Sequence, residues 1–112
     1  MEIRYICTFW GQDHLPVEEF VEKAMVSRYD GVELNIPFDQ QYVSSLLDAA
    51  NKHGADLIAQ QWIPPAMETV DQYRIRIKDY LKHLAAINPI FINSHTGKDF
   101  YSFDDNCTII ED

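Results

Sequence analysis

The sequence predicts an α/β fold of about four βα units, with parallel strands joined by helical crossovers. Short apolar runs rich in β-forming residues alternate strictly with longer stretches whose apolar residues recur at helical spacing. The apolar runs are nearly continuous, which is typical of parallel strands covered on both faces. Capping and turn residues separate the segments. This alternation favours a parallel sheet with a helix after each strand.

The first unit begins with an apolar run from Ile3 to Phe9. The run is short and is followed by Gly11, so we expect a buried strand. Pro16 and the two glutamates that follow it indicate the start of a helix, because proline fits the first helical turn and acids suit the helix dipole. Apolar residues at helical spacing extend this helix to about Arg28.

The second unit follows the turn Tyr29-Asp30-Gly31. Residues Val32 to Ile36 alternate in polarity and predict a strand, which Pro37 stops. Asp39 is the expected N-cap of a second amphipathic helix. The segment Lys52-His53-Gly54 should close this helix, since basic residues and a glycine are typical of helix C-termini.

The third unit has a short strand at Leu57-Ile58-Ala59, within the segment Asp56 to Gln61. Trp62 to Pro65 should form a loop. A long helix is expected from about Glu68 to Ala86, because its apolar residues share one face. Asn88-Pro89 breaks it, since the residue before a proline avoids helical geometry.

The fourth unit consists of a strand from Ile90 to Asn93, a loop from Ser94 to Asp99 and the beginning of a helix within Phe103 to Asp112. An open doubly wound sheet and part of an eight-stranded barrel both fit this order. A complete barrel needs about 250 residues, so 112 residues would supply roughly half of one. The chain shows no linker or second domain.

The composition argues against two classes of binding partner. Lys and Arg number 9 and Asp and Glu 18, giving a formal charge of −9 without a basic cluster. This balance argues against nucleic acid and against anionic membranes. The sequence contains no signal-peptide pattern, no apolar stretch of membrane-spanning length and no paired-cysteine motif around its two cysteines. We therefore expect a cytoplasmic protein with reduced thiols.

Ligands of parallel α/β folds bind at the carboxyl ends of the strands. Indole rings can cover the C–H faces of a polyhydroxylated ligand while amides bond its hydroxyls. Strand-end positions predict a site of this kind, with substrate contacts from Trp10, Gln61, Trp62, Asn93, Lys98 and Asp99.

Glu33 and His95 are the candidate catalytic residues. Glu33 could orient a hydroxyl or transfer a proton, but a structural carboxylate bonded to a neighbouring segment is an equal alternative. His95 could carry a proton, bind phosphate or bind metal, or it could simply bond to the backbone. Lys98 could meet an anionic substrate or pair with Asp99. No spacing of histidines predicts a metal site.

Several common catalytic signatures are missing from the sequence. It contains no glycine-rich phosphate loop and no nucleophile elbow around a serine. Their absence disfavours a dehydrogenase, a kinase or a hydrolase.

Three segments resemble the sugar-phosphate isomerases/epimerases with the xylose isomerase-like TIM barrel. Tyr29-Asp30-Gly31-Val32-Glu33-Leu34 is similar to the family's strand 2 motif. Thr8-Phe9-Trp10-Gly11 and Ile92 to Asp99 look like its loops after strands 1 and 4. Arg28 departs from the family, which has glycine there. The resemblance spans essentially the whole chain and assigns residues 1–112 to the N-terminal half of such a barrel.

The resemblance implies isomerisation or epimerisation of a sugar or sugar phosphate, by metal-assisted proton transfer next to a carbonyl. In the family, the ligands of the divalent metal (Mn, Mg, Co or Zn) come mostly from later strands, so we expect this chain alone to be inactive. A related zinc-dependent branch cleaves DNA at abasic sites, but the charge of −9 disfavours that activity.

Two alternatives remain open. The chain could be a half-barrel that forms a homodimer through its open edges, or a non-catalytic α/β binding module. The apolar strands at residues 3–9 and 90–93 argue against the module, because it would need edges compatible with solvent.

Overall fold

A computed structural model of the chain describes residues 1–62 and 66–112, so residues 63–65 of the predicted loop lie outside the described residues. Strands and helices alternate as the sequence predicts. The strands are β1 (Ile6–Thr8), β2 (Gly31–Asn35), β3 (Asp56–Gln61) and β4 (Phe91–Ser94). The helices are α1 (Val17–Val26), α2 (Gln40–His53), α3 (Val70–Ala86) and α4 (Phe103–Glu111).

The four strands form one sheet in the order β1-β2-β3-β4, and every neighbouring pair is parallel. The predicted α/β class and parallel arrangement are therefore confirmed. Among the described residues the order lacks the reversal that defines a doubly wound sheet. Because crossovers between parallel strands are right-handed, a sequential order places the connecting helices on one face of the sheet.

The core lies between that face and the helices. Val32, Leu34 and Ile36 are completely buried and belong to one cluster with residues of all four helices. Glu33 and Asn35 alternate with them and are only half-buried. Since successive side chains of a strand point to opposite faces, the second face of β2 carries the polar residues.

The second face of the sheet is not covered by any described element. In register across the strands, Thr8 lies beside Glu33, Glu33 beside Ile58 and Ile58 beside Phe91. Thr8 is exposed, Ile58 is half-buried, and Phe91 keeps 69% of its surface exposed. A parallel sheet is normally covered on both faces, so this one presents a face of mixed polarity, with Ile58 and Phe91 as its apolar part, that no described element covers.

The expectation that residues 3–9 form a buried strand is wrong. Only Ile6–Thr8 pair with β2, and Ile3 and Tyr5 are largely exposed. The physical reason is that β1 lies at the edge of the sheet, where no further strand or helix covers it. The strand β4 is an exposed edge in the same way, and it extends one residue beyond its predicted end to Ser94.

The helix ends follow the predicted capping chemistry. The Asp39 carboxylate accepts hydrogen bonds from the backbone N–H groups of Gln41 and Tyr42, at 2.9 and 3.3 Å, and caps α2. Gly54 closes the same helix with a left-handed φ of 64°. None of the helices within residues 1–62 and 66–112 has the length and apolarity needed to cross a bilayer.

Arg28 adopts a left-handed φ of 71° directly after α1. The Tyr29 N–H reaches back to the carbonyl of Ala24 at 3.1 Å, as in a helix ending that usually uses glycine. The missing glycine therefore leaves the ending intact and places an arginine in a conformation that its Cβ disfavours.

Candidate functional site

Polar side chains of the uncovered face gather where the strands end. Asn35, Gln60 and Asn93 lie at the same level of β2, β3 and β4, because Asn35 pairs in register with Gln60 and Gln60 with Asn93. Residues in register on neighbouring strands share a face. The carboxyl end of the sheet thus presents a row of amides.

Glu33 contacts this row. The Asn93 side-chain amide donates a hydrogen bond of 2.8 Å to Glu33 Oε1. The two residues belong to β2 and β4, so the bond passes over the intervening strand β3. Within the described residues the second carboxylate oxygen, Oε2, has no hydrogen-bond partner, which leaves it able to accept a bond from a ligand hydroxyl.

The two tryptophans of the chain lie together at the same end. Their rings meet edge to face, with centroids 6.2 Å apart. The Trp10 indole N–H donates to Gln60 Oε1 at 3.1 Å, and the Trp62 backbone N–H donates to Asn35 Oδ1 at 3.1 Å. Both rings are exposed, so the amides hold an aromatic surface that solvent and ligands can reach.

An open cavity of about 600 Å³ lies beside Trp62. Its lining includes His95, Lys98 and Asp99, so four of the predicted site residues meet around one space. The His95 backbone N–H donates to the carbonyl of Gln61 at 2.9 Å, which continues the β3–β4 ladder and leaves the imidazole exposed. A cavity of this volume has the size of small-molecule sites.

Two helices hold the loop that carries these side chains. The Tyr73 hydroxyl of α3 accepts a hydrogen bond from the Gly97 N–H at 3.0 Å and donates to the Gly97 carbonyl at 3.4 Å. The Asn106 side chain of α4 accepts from the Lys98 N–H at 3.0 Å and donates to the Lys98 carbonyl at 2.9 Å. Both backbone polar groups of each loop residue are therefore satisfied by a side chain.

Gly97 has a φ of 90°, and a Cβ placed on it would lie 2.5 Å from Asn106 Oδ1. The close clamp therefore needs a glycine at this position. The Lys98 ammonium lies 5.4 Å from the centroid of the Tyr73 ring, and burial raises the pKa of the Tyr73 hydroxyl. The hydroxyl thus stays protonated and able to donate over the physiological pH range.

Gln61 is completely buried, although the sequence predicts it as a substrate contact. Its Oε1 accepts a 2.8 Å hydrogen bond from the Ser94 hydroxyl, while its Nε2 has no partner among the described residues. In this conformation Gln61 supports the end of β4 and does not line the cavity.

Four supporting residues were not among the predicted substrate contacts, namely Asn35, Gln60, Tyr73 and Asn106. The first two lie at strand ends, and the alternation of the strands could have placed them on the same face as Glu33. Tyr73 and Asn106 could not have been found this way, because their contacts join distant helices to a loop.

Side chains that bind metals do not cluster among the described residues. In residues 1–62 and 66–112 no three His, Cys, Asp or Glu side chains converge on one point. We therefore assign no metal ligand among them.

The cavity brings together the carboxylate of Asp99, the imidazole of His95, the ammonium group of Lys98 and the indole ring of Trp62. Trp10 lies against Trp62, and Glu33 and Asn93 contact each other, but these three are not part of the cavity lining. Comparison of the chain with protein-family models, with curated proteins and with solved structures found no match. The functional assignment therefore depends on the arrangement of these side chains and on the resemblance of the three sequence segments.

Proposed function

We propose that the chain is the substrate-binding N-terminal half of a sugar-phosphate isomerase/epimerase-like barrel. The observation that carries the proposal is the meeting of Trp62, His95, Lys98 and Asp99 around one cavity at the carboxyl end of a parallel sheet. Ligands of such sheets bind at this end. The sequential strand order and the uncovered second face support a barrel, because a closed barrel covers that face with further strands.

The side chains divide the recognition of a sugar phosphate between them. The exposed rings of Trp10 and Trp62 cover the C–H surface of the sugar, and Asn93 bonds a hydroxyl. Lys98 attracts the phosphate, since an ammonium group is a compact positive charge. Asp99 accepts a bond from a further hydroxyl.

Glu33 and His95 are the proposed proton-transfer groups of the completed barrel. The carboxylate can remove a proton from the carbon next to the carbonyl, and the imidazole can return one to the adjacent oxygen or carbon. A divalent cation would polarise the carbonyl, with ligands supplied by other residues. We therefore expect the chain to bind substrate without turning it over.

Tryptophan fluorescence tests the proposal directly, because both tryptophans of the chain lie at the proposed site. The chain is titrated with a ketose phosphate, with the same sugar lacking phosphate, and with inorganic phosphate. We expect a saturable change in emission with the sugar phosphate and a weaker one with the free sugar. No change with any sugar or sugar phosphate would contradict the proposal.

The role of Lys98 is tested by Lys98→Ala, with Lys52→Ala as the matched control. Lys52 is exposed in the last turn of α2, at the opposite end of the sheet. Lys98→Ala should weaken binding of the phosphorylated sugar about tenfold and leave the free sugar nearly unaffected, because only the phosphate loses a charged partner. Equal losses in both variants would refute a specific role for Lys98.

A further inference from the structure

The sheet ends in two free edges, β1 and β4, and one of its faces is uncovered. Free edges present unpaired N–H and C=O groups, and an exposed apolar face marks a surface that contacts a partner. Phe91 and Ile58 carry this apolar character on the uncovered face. A partner that pairs with both edges would also cover the face.

A groove of about 350 Å³ runs along the β1 edge, between this strand and α1. Its lining mixes polar and apolar side chains: Phe20 and Ala24 are buried, and Tyr29 is 39% exposed. Among the described residues of the lining, Lys23 is the one that carries a charge. The β1 end of the molecule therefore offers a partly apolar groove with a positive charge.

At the β4 end, α4 carries exposed apolar side chains together with negative charge. Phe103, Cys107 and Ile110 are spaced four and three residues apart and share one stripe of the helix. Phe103 is 82% exposed and Ile110 69% exposed, although Ile109 beside them is buried in the core. The exposed acids Asp104 and Glu111 flank the stripe, and α4 contains no basic residue.

We propose that this chain pairs with a second copy of itself, so that α4 of each copy lies in the β1-side groove of the other. The free edge of β4 then pairs in parallel with β1 of the partner, and a twofold axis repeats the contact. The apolar stripe of α4 contacts the partly apolar groove of the other copy. Asp104 and Glu111 of α4 then lie near Lys23 of that copy. The arrangement joins four strands to four and closes an eight-stranded barrel.

A second copy suits these surfaces because the groove and the stripe lie at opposite ends of the same sheet. An identical chain carries both, so a symmetric pair places the stripe of each copy in the groove of the other. Eight strands is also the number at which side chains just fill a barrel interior. The charge of −9 on each copy opposes association, so the apolar stripe and the edge hydrogen bonds must supply the attraction.

The first measurement is the mass of the chain in solution, by light scattering on a sizing column over a hundredfold range of concentration. We expect a species of twice the 13.0 kDa chain mass at high concentration. A monomer at every concentration would overturn the proposal. A mass that keeps growing with concentration would also overturn it, because it would mean an open chain of copies.

Variants then locate the contact. Ile110→Lys and Lys23→Glu should each shift the equilibrium to monomer by at least about tenfold, since the first buries a charge and the second reverses one. Ile75→Lys is the control, because Ile75 is 64% exposed on α3 and lies outside both surfaces. Circular dichroism confirms that each variant remains folded. A dimer that survives both substitutions, or that Ile75→Lys disrupts equally, would place the contact elsewhere and refute the proposal.

Discussion

Asn93 donates a hydrogen bond to Glu33 across the intervening strand β3, and the two residues are 60 positions apart in the chain. The bond joins the second and fourth βα units on the uncovered face of the sheet. It also directs the carboxylate of Glu33 toward the carboxyl end of the sheet, where the candidate site lies. A substitution at Asn93 can therefore show how much this contact contributes to the stability of the fold and how that contribution depends on charge.

Asn93→Asp should destabilise the fold near pH 7 by about 1–2 kcal/mol, because it places two carboxylates in contact. Repulsion raises the pKa of the carboxyl pair in the folded state above its value in the unfolded chain. The penalty is therefore full above the raised folded pKa and disappears as the pH falls toward the ordinary value of about 4.

Urea unfolding at about pH 7 and about pH 5 measures this difference between the variant and the original chain. Gln41→Glu is the control, because it makes the same chemical change on an exposed residue in the first turn of α2. There a negative charge suits the helix dipole. A penalty in Asn93→Asp that is the same at both pH values would show that the carboxylates do not interact.

Tyr73→Phe should release the loop at Gly97. The substitution removes one hydroxyl and two hydrogen bonds, so we expect a loss of about 1–2 kcal/mol in the free energy of unfolding. Hydrogen exchange of the Gly97 amide should accelerate more than that of the Lys98 amide, which Asn106 still holds. Tyr29→Phe, at an exposed tyrosine, is the control, and equal exchange rates in both variants would contradict a clamp.

Gly31→Ala should be among the most damaging small substitutions in the chain. A Cβ on Gly31 would lie 2.2 Å from the backbone oxygen of Asp56, its register partner on β3. Backbone cannot move aside as a flexible side chain can, so we expect a cost of about 3 kcal/mol or more.

Gly54→Ala measures the cost of a left-handed backbone conformation in the absence of the steric clash expected at Gly31. Gly54 has a left-handed φ of 64°, but nothing lies within 4 Å of the added Cβ. Its cost should be only about 1 kcal/mol. Thermal unfolding compares the two variants, and equal losses would show that the approach of the strands at Gly31 is not tight.

Arg28→Gly should stabilise the chain by about 0.5–1 kcal/mol, because glycine adopts the left-handed conformation at this helix end without strain. Asn88→Gly is the comparison, since Asn88 has a φ of 59° after α3 and asparagine tolerates this conformation better than arginine. Chemical denaturation should rank the gain at position 28 above that at position 88. The reverse order would mean that the Arg28 side chain makes a stabilising contact that outweighs the strain.

Local rules predicted the order of the elements and several of their ends. Asp39 and Gly54 cap α2 as their chemistry requires, because capping depends on neighbouring backbone groups alone. The same rules mistook residues 3–9 for a buried strand, because an apolar run does not reveal whether another element covers it. The position of a strand within its sheet is a property of the whole fold.

The candidate site was also predicted only in part, because some of its contacts depend on the whole fold. The rule that ligands bind at strand ends brought Trp62, His95, Lys98 and Asp99 to one cavity. It also included Gln61, which is buried, because a rule about strand ends does not distinguish the two faces on which successive side chains lie. The clamp by Tyr73 and Asn106 depends on tertiary contacts that no spacing in the sequence encodes.

The sequential strand order has a consequence for biosynthesis. Each strand pairs with the strand made just before it, so every new βα unit can dock on structure that is already complete while later residues are still being translated. Each described strand pairs with the strand next to it in the sequence, so the connection that must close is a single crossover helix with its loops. This topology is suited to folding from the N-terminus onward as the chain leaves the ribosome.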